Sequence, residues 1–331
     1  MSDMKSKERE PFAAMYHGNG SNKLSQITTR SIVPAVDAVT GDAVITDGDY
    51  TVFIEEYRKL TGGLRISTHK LLDACIIALS AVNHYRGTGE LATGVSIPLN
   101  DYVAMLGKNP AKKNAVDDVR KRVKEDLEAL YRVSIEWSER ARKKTNDYAK
   151  MRILSSQGIK GGCINVGFSP EFVKYLTNAY VMQYPTALLK TDERNPSSYH
   201  IGRKLLLQYS NDNNLKIGTH DIISVLSLLA VCPDIPSYDV VINSDRELVR
   251  RIMKPFQNAL NALGFIKWRY AYSKGKSLTK KQLSGLTYQD FEKLYIKFAV
   301  KGFHDQTARL AAKAEEAEAK AKAQKKKAAP K

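Results

Sequence analysis

Residues Ser244 to Lys281 constrain this chain more than any other stretch. Leu248, Ile252, Phe256, Leu260 and Leu263 recur at the helical period and predict one buried helix face. Arg250, Arg251, Lys254, Asn258 and Asn261 fall on the opposite face, with Arg246 at its start. Ser244 with Glu247 three residues on has the form of a capping box, and Gly264 is the expected stop. Pro255 removes a backbone donor inside the helix and predicts a kink. Lys267 and Arg269 then alternate with Ile266 and Trp268 as in a half-buried strand, and Lys274, Lys276, Lys280 and Lys281 cluster at a Gly-containing turn. Ten Lys or Arg and two acids lie between Asp245 and Lys281. A core helix with an incidentally basic solvated side is the competing reading, but it does not call for a second basic element beside it. A basic helix followed by a basic ribbon suits a polyanion. DNA is the one expected, because Arg and Lys neutralise phosphates or read guanine, and Asn and Gln pair with adenine edges.

The balance of the whole chain agrees. Lys and Arg number 52 against 35 Asp and Glu, a net charge of +17 and a pI near 9.6, which points to nucleic acid or an anionic surface. The 331 residues can bury more than one core, so two domains with appendages are expected. No apolar run approaches the roughly 20 residues that span a bilayer, and the polar start is unlike a signal peptide. No membrane partner and a cytoplasmic location are therefore expected. Cys75, Cys163 and Cys232 are far apart, odd in number and in apolar contexts, which predicts buried free thiols rather than disulfides or zinc.

The order of elements supplies the architecture. Residues 1–40 read as a flexible N-terminal arm, and Ala43–Ile45 with Thr51–Ile54 as strands around an Asp47–Asp49 turn. A buried helix over 68–85, a short strand at Val95–Ile97, and a short helix capped by Asn100 and closed by Gly107 come next. A long helix through Val116, Val119, Val123, Leu127 and Leu130 follows. Val133–Trp137, Met151–Leu154 and Cys163–Phe168 read as strands, with Arg140–Lys150 as a loop. Ser169 caps a helix starting at Pro170. The second half repeats the series: a helix at Tyr199–Tyr209, a strand at Leu215–Ile217, a helix at Asp221–Leu229, the long helix from Ser244, then strands at Phe265–Tyr272 and Tyr295–Ala299.

Helix, short strand, helix, long helix and ribbon is the order of a winged helix-turn-helix. The fold class expected is therefore α+β, mainly α, with two tandem winged helix-turn-helix domains and a basic helical tail. The divisions are the arm at 1–40, a first winged-helix domain at 41–184, a linker acting as a hinge at 185–196, a second winged-helix domain at 197–303, and a Lys/Ala/Glu-rich tail at 304–331.

The run Glu247–Leu263, followed by Trp268–Lys276, resembles the C-terminal winged helix of plasmid replication initiators of the iteron-binding type. Val166–Leu176, Gln183–Pro185 and Tyr199–Tyr209 resemble that family's interdomain strand, helix and opening helix, and the likeness in element order covers roughly residues 64–300. It implies two winged helices that recognise origin direct repeats, melting of the origin, and recruitment of a host initiator and replicative helicase. It also implies a homodimer that represses its own promoter, in equilibrium with an initiating monomer. On that likeness Arg250, Arg251, Lys254 and Asn258 lie in the major groove and Lys274 and Lys276 on the backbone. The chain departs from the family in a long insert, Ser277–Leu294, with an expected helix from Tyr288, and in Asp117, Asp118, Glu125 and Asp126 on the first long helix. The first domain's DNA contacts are accordingly expected at Lys112, Lys113, Arg120, Lys121 and Lys124.

No catalytic residues, metal site or cofactor are expected. A His-apolar-His pair, a Gly-x-x-x-x-Gly-Lys phosphate loop and Cys-x-x-Cys spacing are all absent from the sequence. His200-Ile-Gly-Arg203 imitates one fragment of a tyrosine recombinase site without its other arginines, and His200 reads more simply as structural. Beside the initiator reading stand a winged-helix transcriptional regulator or autorepressor of a mobile element and, from another class, a DNA-processing enzyme. Direct repeats about two helical turns apart beside the coding sequence separate the first from the second. Cleavage of DNA or covalent attachment to it marks the third.

Overall fold

The structure, a computed structural model, describes residues 12–17, 35–47, 50–59, 64–86, 90–138, 148–177, 180–241 and 245–301. Gly48 and Asp49, residues 139–147, Ser244 and the tail from 302 onward lie outside these, and with them the expected turn residues, most of the basic loop, the helix cap and the basic tail. Helices and strands interleave along the chain, an α+β fold. Phe12–His17 (β1) pairs antiparallel with the distant Tyr180–Pro185. Its Met15 is buried and its Tyr16 N–H donates to Ser80 Oγ at 2.8 Å. Over these six residues the flexible-arm reading of 1–40 is corrected, because a long-range partner satisfies backbone groups that local pattern leaves open. Ala35–Val36 (β2), Ala43–Asp47 (β3) and Tyr50–Ile54 (β4) follow as an antiparallel meander.

Ile66–Arg86 (α1) is apolar around most of its circumference, and Leu71, Leu72, Cys75, Ile76 and Leu79 are all buried; such a helix must be enclosed. Gly94–Pro98 (β5), Leu99–Met105 (α2) and Lys113–Tyr131 (α3) come next. The cap of α2 is Pro98, so Asn100 lies in its first turn instead; Gly107 does end it, at φ 73°. After α3, Val133–Ser138 (β6) and Tyr148–Arg152 (β7) extend the meander to the order β2-β3-β4-β6-β7. Val133–Trp137 is thus no part of the ribbon, and Tyr148–Lys150 is strand rather than loop. The ribbon is the hairpin Leu154–Lys160 (β8) and Cys163–Phe168 (β9), in a separate sheet of order β5-β9-β8. The expected strand Met151–Leu154 is broken at buried Ile153, where the chain leaves one sheet for the other. Pro170–Thr177 (α4) is capped by Ser169, whose Oγ accepts from the Phe172 N–H at 3.3 Å, and Tyr180–Pro185 (β10) closes this half.

The segment read as a hinge is packed. Thr186–Lys190 is a 3-10 helix with Leu188 and Leu189 buried. Pro196–Ser210 (α5), Asp212–Lys216 (α6), Ile222–Ser224 (β11) and Val225–Leu229 (α7) follow. The strand expected at Leu215–Ile217 is instead the end of α6 and a turn in which Ile217 is 71% exposed. Asn211 Oδ1 accepts from the Asn214 N–H at 3.3 Å, a local side-chain bond that favours a helical turn over an extended one. The helix expected from Asp221 starts at Val225, capped by Ser224 Oγ accepting from the Ser227 N–H. Asp245–Leu248 (α8), a π turn at Val249–Met253, Lys254–Asn261 (α9), Ile266–Ala271 (β12), Lys280–Ser284 (α10), Tyr288–Glu292 (α11) and Tyr295–Val300 (β13) complete the described chain. The sheet order is β11-β13-β12. In each half, therefore, the short strand before the second helix pairs with the last strand of the ribbon.

One hydrophobic cluster runs through both halves, from Met15 to Val300. At its centre Asp73 of α1 accepts hydrogen bonds from Tyr184 OH at 3.0 Å, from Tyr199 OH and from Arg203 of α5. The side chains of Asp73 and Arg203 are 0% and 4% exposed. Burial works against the Arg203 charge, and the Asp73 carboxylate outweighs it, raising the guanidinium above its usual range. His69 and His200 lie edge-to-face beside them, 5.4 Å apart. Burial, with Arg203 nearby, pushes His69 down to about 3, so it adds no charge at neutral pH. Lys70, pushed down to about 8 by burial, donates to the Thr191 carbonyl and ties the linker to α1. A Cβ on Gly202 would lie 2.7 Å from Leu188 Cδ1 and 3.0 Å from Leu263 Cδ2, so α5 approaches both as closely as glycine permits.

Replacing Arg203 with Met should cost about 3–5 kcal/mol, because it leaves the Asp73 carboxylate buried without its counter-charge. Urea unfolding followed separately at Trp137 and Trp268, in single-tryptophan variants, should show both halves losing stability together. A second expectation concerns Asp126 of α3, whose Oδ1 accepts from Ser67 Oγ at 2.9 Å and Thr68 Oγ1 at 2.6 Å. Burial raises its carboxyl to about 6, against the hydroxyl bonds and Arg65 that oppose the rise. A folded value above the unfolded one means that the folded state binds the proton more tightly. This group's contribution to stability therefore falls as pH rises from about 4 to 6. Asp126→Asn keeps the acceptor, so urea titrations across that window should show a flatter decline in the variant than in the parent.

Candidate nucleic-acid interface

The helical stretch expected from Ser244 has its buried face as predicted: Leu248, Ile252, Phe256, Leu260 and Leu263 are all in the core. Phe256 packs edge-to-face on Phe291, ring centroids 5.5 Å apart. Arg246, Arg250, Arg251, Lys254, Asn258 and Asn261 are exposed. The kink expected at Pro255 takes the form of the π turn just before it. Pro255 offers no N–H to the carbonyl four residues back, and the Lys254 N–H reaches five residues back to the Val249 carbonyl. The wider turn carries Arg250 and Arg251. Gly264 plays no left-handed stop, since the left-handed glycines do not include it; α9 ends at Asn261 with Ala262 as cap.

Two side chains on this face are held by neighbours. Arg250 donates from Nε to Glu247 Oε1 at 3.1 Å and from Nη2 to Glu247 Oε2 at 2.7 Å. The Arg250 guanidinium beside Glu247 holds that carboxyl below its usual range. Asn261 Oδ1 accepts from Trp268 Nε1 at 3.2 Å, joining the helix to the first ribbon strand. This bond takes one of the two lone pairs of the Asn261 oxygen and fixes the amide's orientation beside β12.

The ribbon also follows the pattern. Lys267 and Arg269 are exposed on β12 while Ile266 and Tyr270 are buried. The strand ends in a tight turn, with the Tyr272 N–H donating to the Lys276 carbonyl at 2.9 Å and Gly275 at φ 78°. Lys274 and Lys276 are exposed on this turn. The 277–294 insert folds into α10 and α11 rather than a single helix. Thr279 and Gln282 form a capping box at α10, and Gln282 Nε2 donates to Tyr272 OH at 3.1 Å, fastening the insert to the turn. Phe291 of α11 is buried against Phe256 of α9 and Tyr270 of β12, and buried Tyr288 stacks on Tyr238. Lys281 is exposed; Lys280 opens α10, and its side chain lies outside the described residues.

In the first half, Lys112, Lys113, Arg120, Lys121 and Lys124 are all exposed. Helical spacing sets Lys113, Arg120 and Lys124 along one side of α3 and Asp118, Arg122 and Glu125 along another. The second side is engaged within the protein: Arg122 pairs with Glu193, and Arg65 with Glu125 at 2.9 Å. Of the acids set among the basic residues, Asp126 is internal and Glu125 is paired, while Asp117 and Asp118 stay exposed. The sequence reading gave Glu247 a capping role only, not its pairing with Arg250. It passed over the β8–β9 hairpin, where exposed Lys160 precedes Gly161 and Gly162 at φ 61° and 74° in the position that Lys274 and Lys276 occupy in the second half. The Gly-Gly pair between two alternating runs was its available signal.

Among the described residues no group of three or more His, Cys, Asp or Glu is placed to hold a metal ion, and no helix is long and apolar enough to cross a membrane. His200 and Arg203, the recombinase-like fragment, are buried in the contact between α1 and α5. Cys75 and Cys232 are buried free thiols and Cys163 is half-buried. No curated protein matches the chain. A family model does: over residues 59–199, from just before α1 to the first turn of α5, the chain matches the initiator replication protein, WH1. That part of the chain is thus similar to the winged-helix domain of plasmid-type replication initiators.

Proposed function

We propose that the chain is a sequence-specific double-stranded DNA-binding replication initiator with two tandem winged helices, WH1 in the first half and a second from α5 to β13. On this reading it binds direct repeats at an origin, promotes opening of the duplex and recruits the host initiator and replicative helicase. It acts in the cytoplasm without catalysis or cofactor, and a homodimer exchanges with the active monomer. The observation that carries the reading is the repeated arrangement of helix, short strand, helix, long helix and ribbon, with an exposed basic face on the long helix of each half. The family match over 59–199 supports the initiator role.

In physical terms, phosphate neutralisation by Lys and Arg supplies most of the affinity and makes it salt-dependent. Discrimination comes from side chains that reach base edges in the major groove. Arg250, Arg251, Lys254 and Asn258 of the second half lie in the major groove, with Arg251 neutralising phosphate and the others within reach of base edges, while Lys274 and Lys276 meet the backbone. Lys112, Lys113, Arg120, Lys121 and Lys124 hold the first half to phosphates. Opening a duplex by binding needs no bond to be broken, only a preference for distorted DNA that offsets the cost of distortion.

Purified protein titrated on a duplex of direct repeats from its own upstream region, against a scrambled duplex of equal length, should prefer the repeats and lose affinity steeply with salt. Lys254→Ala should weaken binding by ~1–3 kcal/mol if the residue meets a base, whereas Lys274→Ala should weaken both duplexes alike and reduce the salt slope by about 1. Equal affinity for the two duplexes in the parent protein would refute sequence-specific recognition, and strand cleavage or covalent attachment would refute the non-catalytic part.

A further inference from the structure

Glu247 stands where its charge is unfavourable for DNA binding. It occupies the stripe that carries Arg250, Arg251 and Lys254, and a carboxylate on such a face repels phosphates. An exposed i,i+3 ion pair adds only a few tenths of a kcal/mol to a helix, and the capping box expected of Ser244 and Glu247 is a local reason for the acid at the helix start. The geometry gives another. Arginine presents five N–H donors in a planar fork. Glu247 takes two of them along one edge, Nε–H at 3.1 Å and one Nη2–H at 2.7 Å. The other edge, with both Nη1 hydrogens and the second Nη2 hydrogen, faces away from the carboxylate. Two parallel donors at that spacing match guanine, which offers O6 and N7 side by side in the major groove. Arg251, the next residue on the same π turn, acts on the Glu247 carboxyl through its charge and is assigned the role of a general phosphate ligand.

We infer that Glu247 is a positioning residue for specificity: it locks the Arg250 guanidinium in the plane and orientation that read a guanine, and so separates the base-reading arginine from its phosphate-binding neighbour. The inference rests on the placement of α8 and α9 against DNA proposed above. Its energetic basis is preorganisation, because a side chain already held in its binding rotamer loses less entropy on contact. The carboxylate lowers general affinity and raises discrimination at once.

Those opposite effects are what the experiment reads. Full-length parent, Glu247→Ala, Glu247→Gln, Arg250→Ala and Arg251→Ala proteins are each equilibrated with a pool of randomised duplexes, and the bound fraction is sequenced. Scrambled-duplex affinity and melting temperature are measured alongside. Arg250→Ala should abolish preference at one G·C pair. Both Glu247 variants should relax preference at that same pair by about tenfold, the size of one good bidentate contact, with scrambled-duplex affinity unchanged or higher and the melting temperature of Glu247→Gln, which keeps the capping pattern, unchanged. Arg251→Ala should weaken binding to every sequence alike. Retention of the preference in both Glu247 variants, alongside its loss in Arg250→Ala, would overturn the inference and leave the proposed function standing. A change at a different base pair would also overturn it, since Glu247 would then be reading a base directly. If Arg250→Ala keeps every parental preference, the placement of the helix against DNA fails, and the inference with it.

Discussion

Asp73 and Arg203 form an ion pair that water does not reach, and the positions of both basic helices depend on it. Neither charge is tolerable there alone. Together, with the phenols of Tyr184 and Tyr199 donating to the same carboxylate, they satisfy one another. The pair joins α1 to α5. Helix α3 packs on α1 and helix α9 on α5, so the contact between the two scaffold helices sets how far apart the two basic helices stand. The 3-10 helix of the linker, pinned by Lys70 to Thr191 and by Leu188 against Gly202, adds a second constraint to the same contact.

Charge is not spread evenly around this centre. On the five-stranded sheet and its edges, Arg132 pairs with Glu56 and Glu128, and Arg152 with Glu55. Arg122 pairs with Glu193 beside the linker. The lysines and arginines of α3, α9 and β12 named above stay exposed. Some of the basic residues are therefore engaged in holding loops and strands, while others line the long helix of each half and the second ribbon. Arg250 belongs to both groups, which is what makes its carboxylate partner informative.

Much of this was legible in the residues. The buried face from Leu248 to Leu263 and the alternation of Ile266, Lys267, Trp268 and Arg269 came through because one period dominates each stretch, and the structure keeps both. The failures share a cause as well. Phe12–His17 becomes a strand through a partner more than 160 residues away. Val133–Ser138 is a strand as expected, yet which sheet it joins is decided by β4 and β7. Leu215–Ile217 loses to Asn211 and the helical turn it caps. The hinge at 185–196 looked loose because it is rich in Pro and polar residues, whereas Leu188 and Leu189 bury it.

The sequence by itself determined the local grammar of this protein: helices with one apolar face, a basic ribbon, residue types suited to phosphates and base edges, and a family likeness later matched over 59–199. These follow from periodicity and side-chain chemistry, which act between near neighbours along the chain. Tertiary structure alone decided which strands share a sheet, that Asp73 meets Arg203 across 130 residues, that the linker is rigidly packed, and that Asn261 holds Trp268. Pairings of that kind depend on burial and on long-range geometry. A charged residue such as Asp73 carries no sign in the sequence that it will be enclosed, and only the assembled core supplies the partner that makes its burial possible.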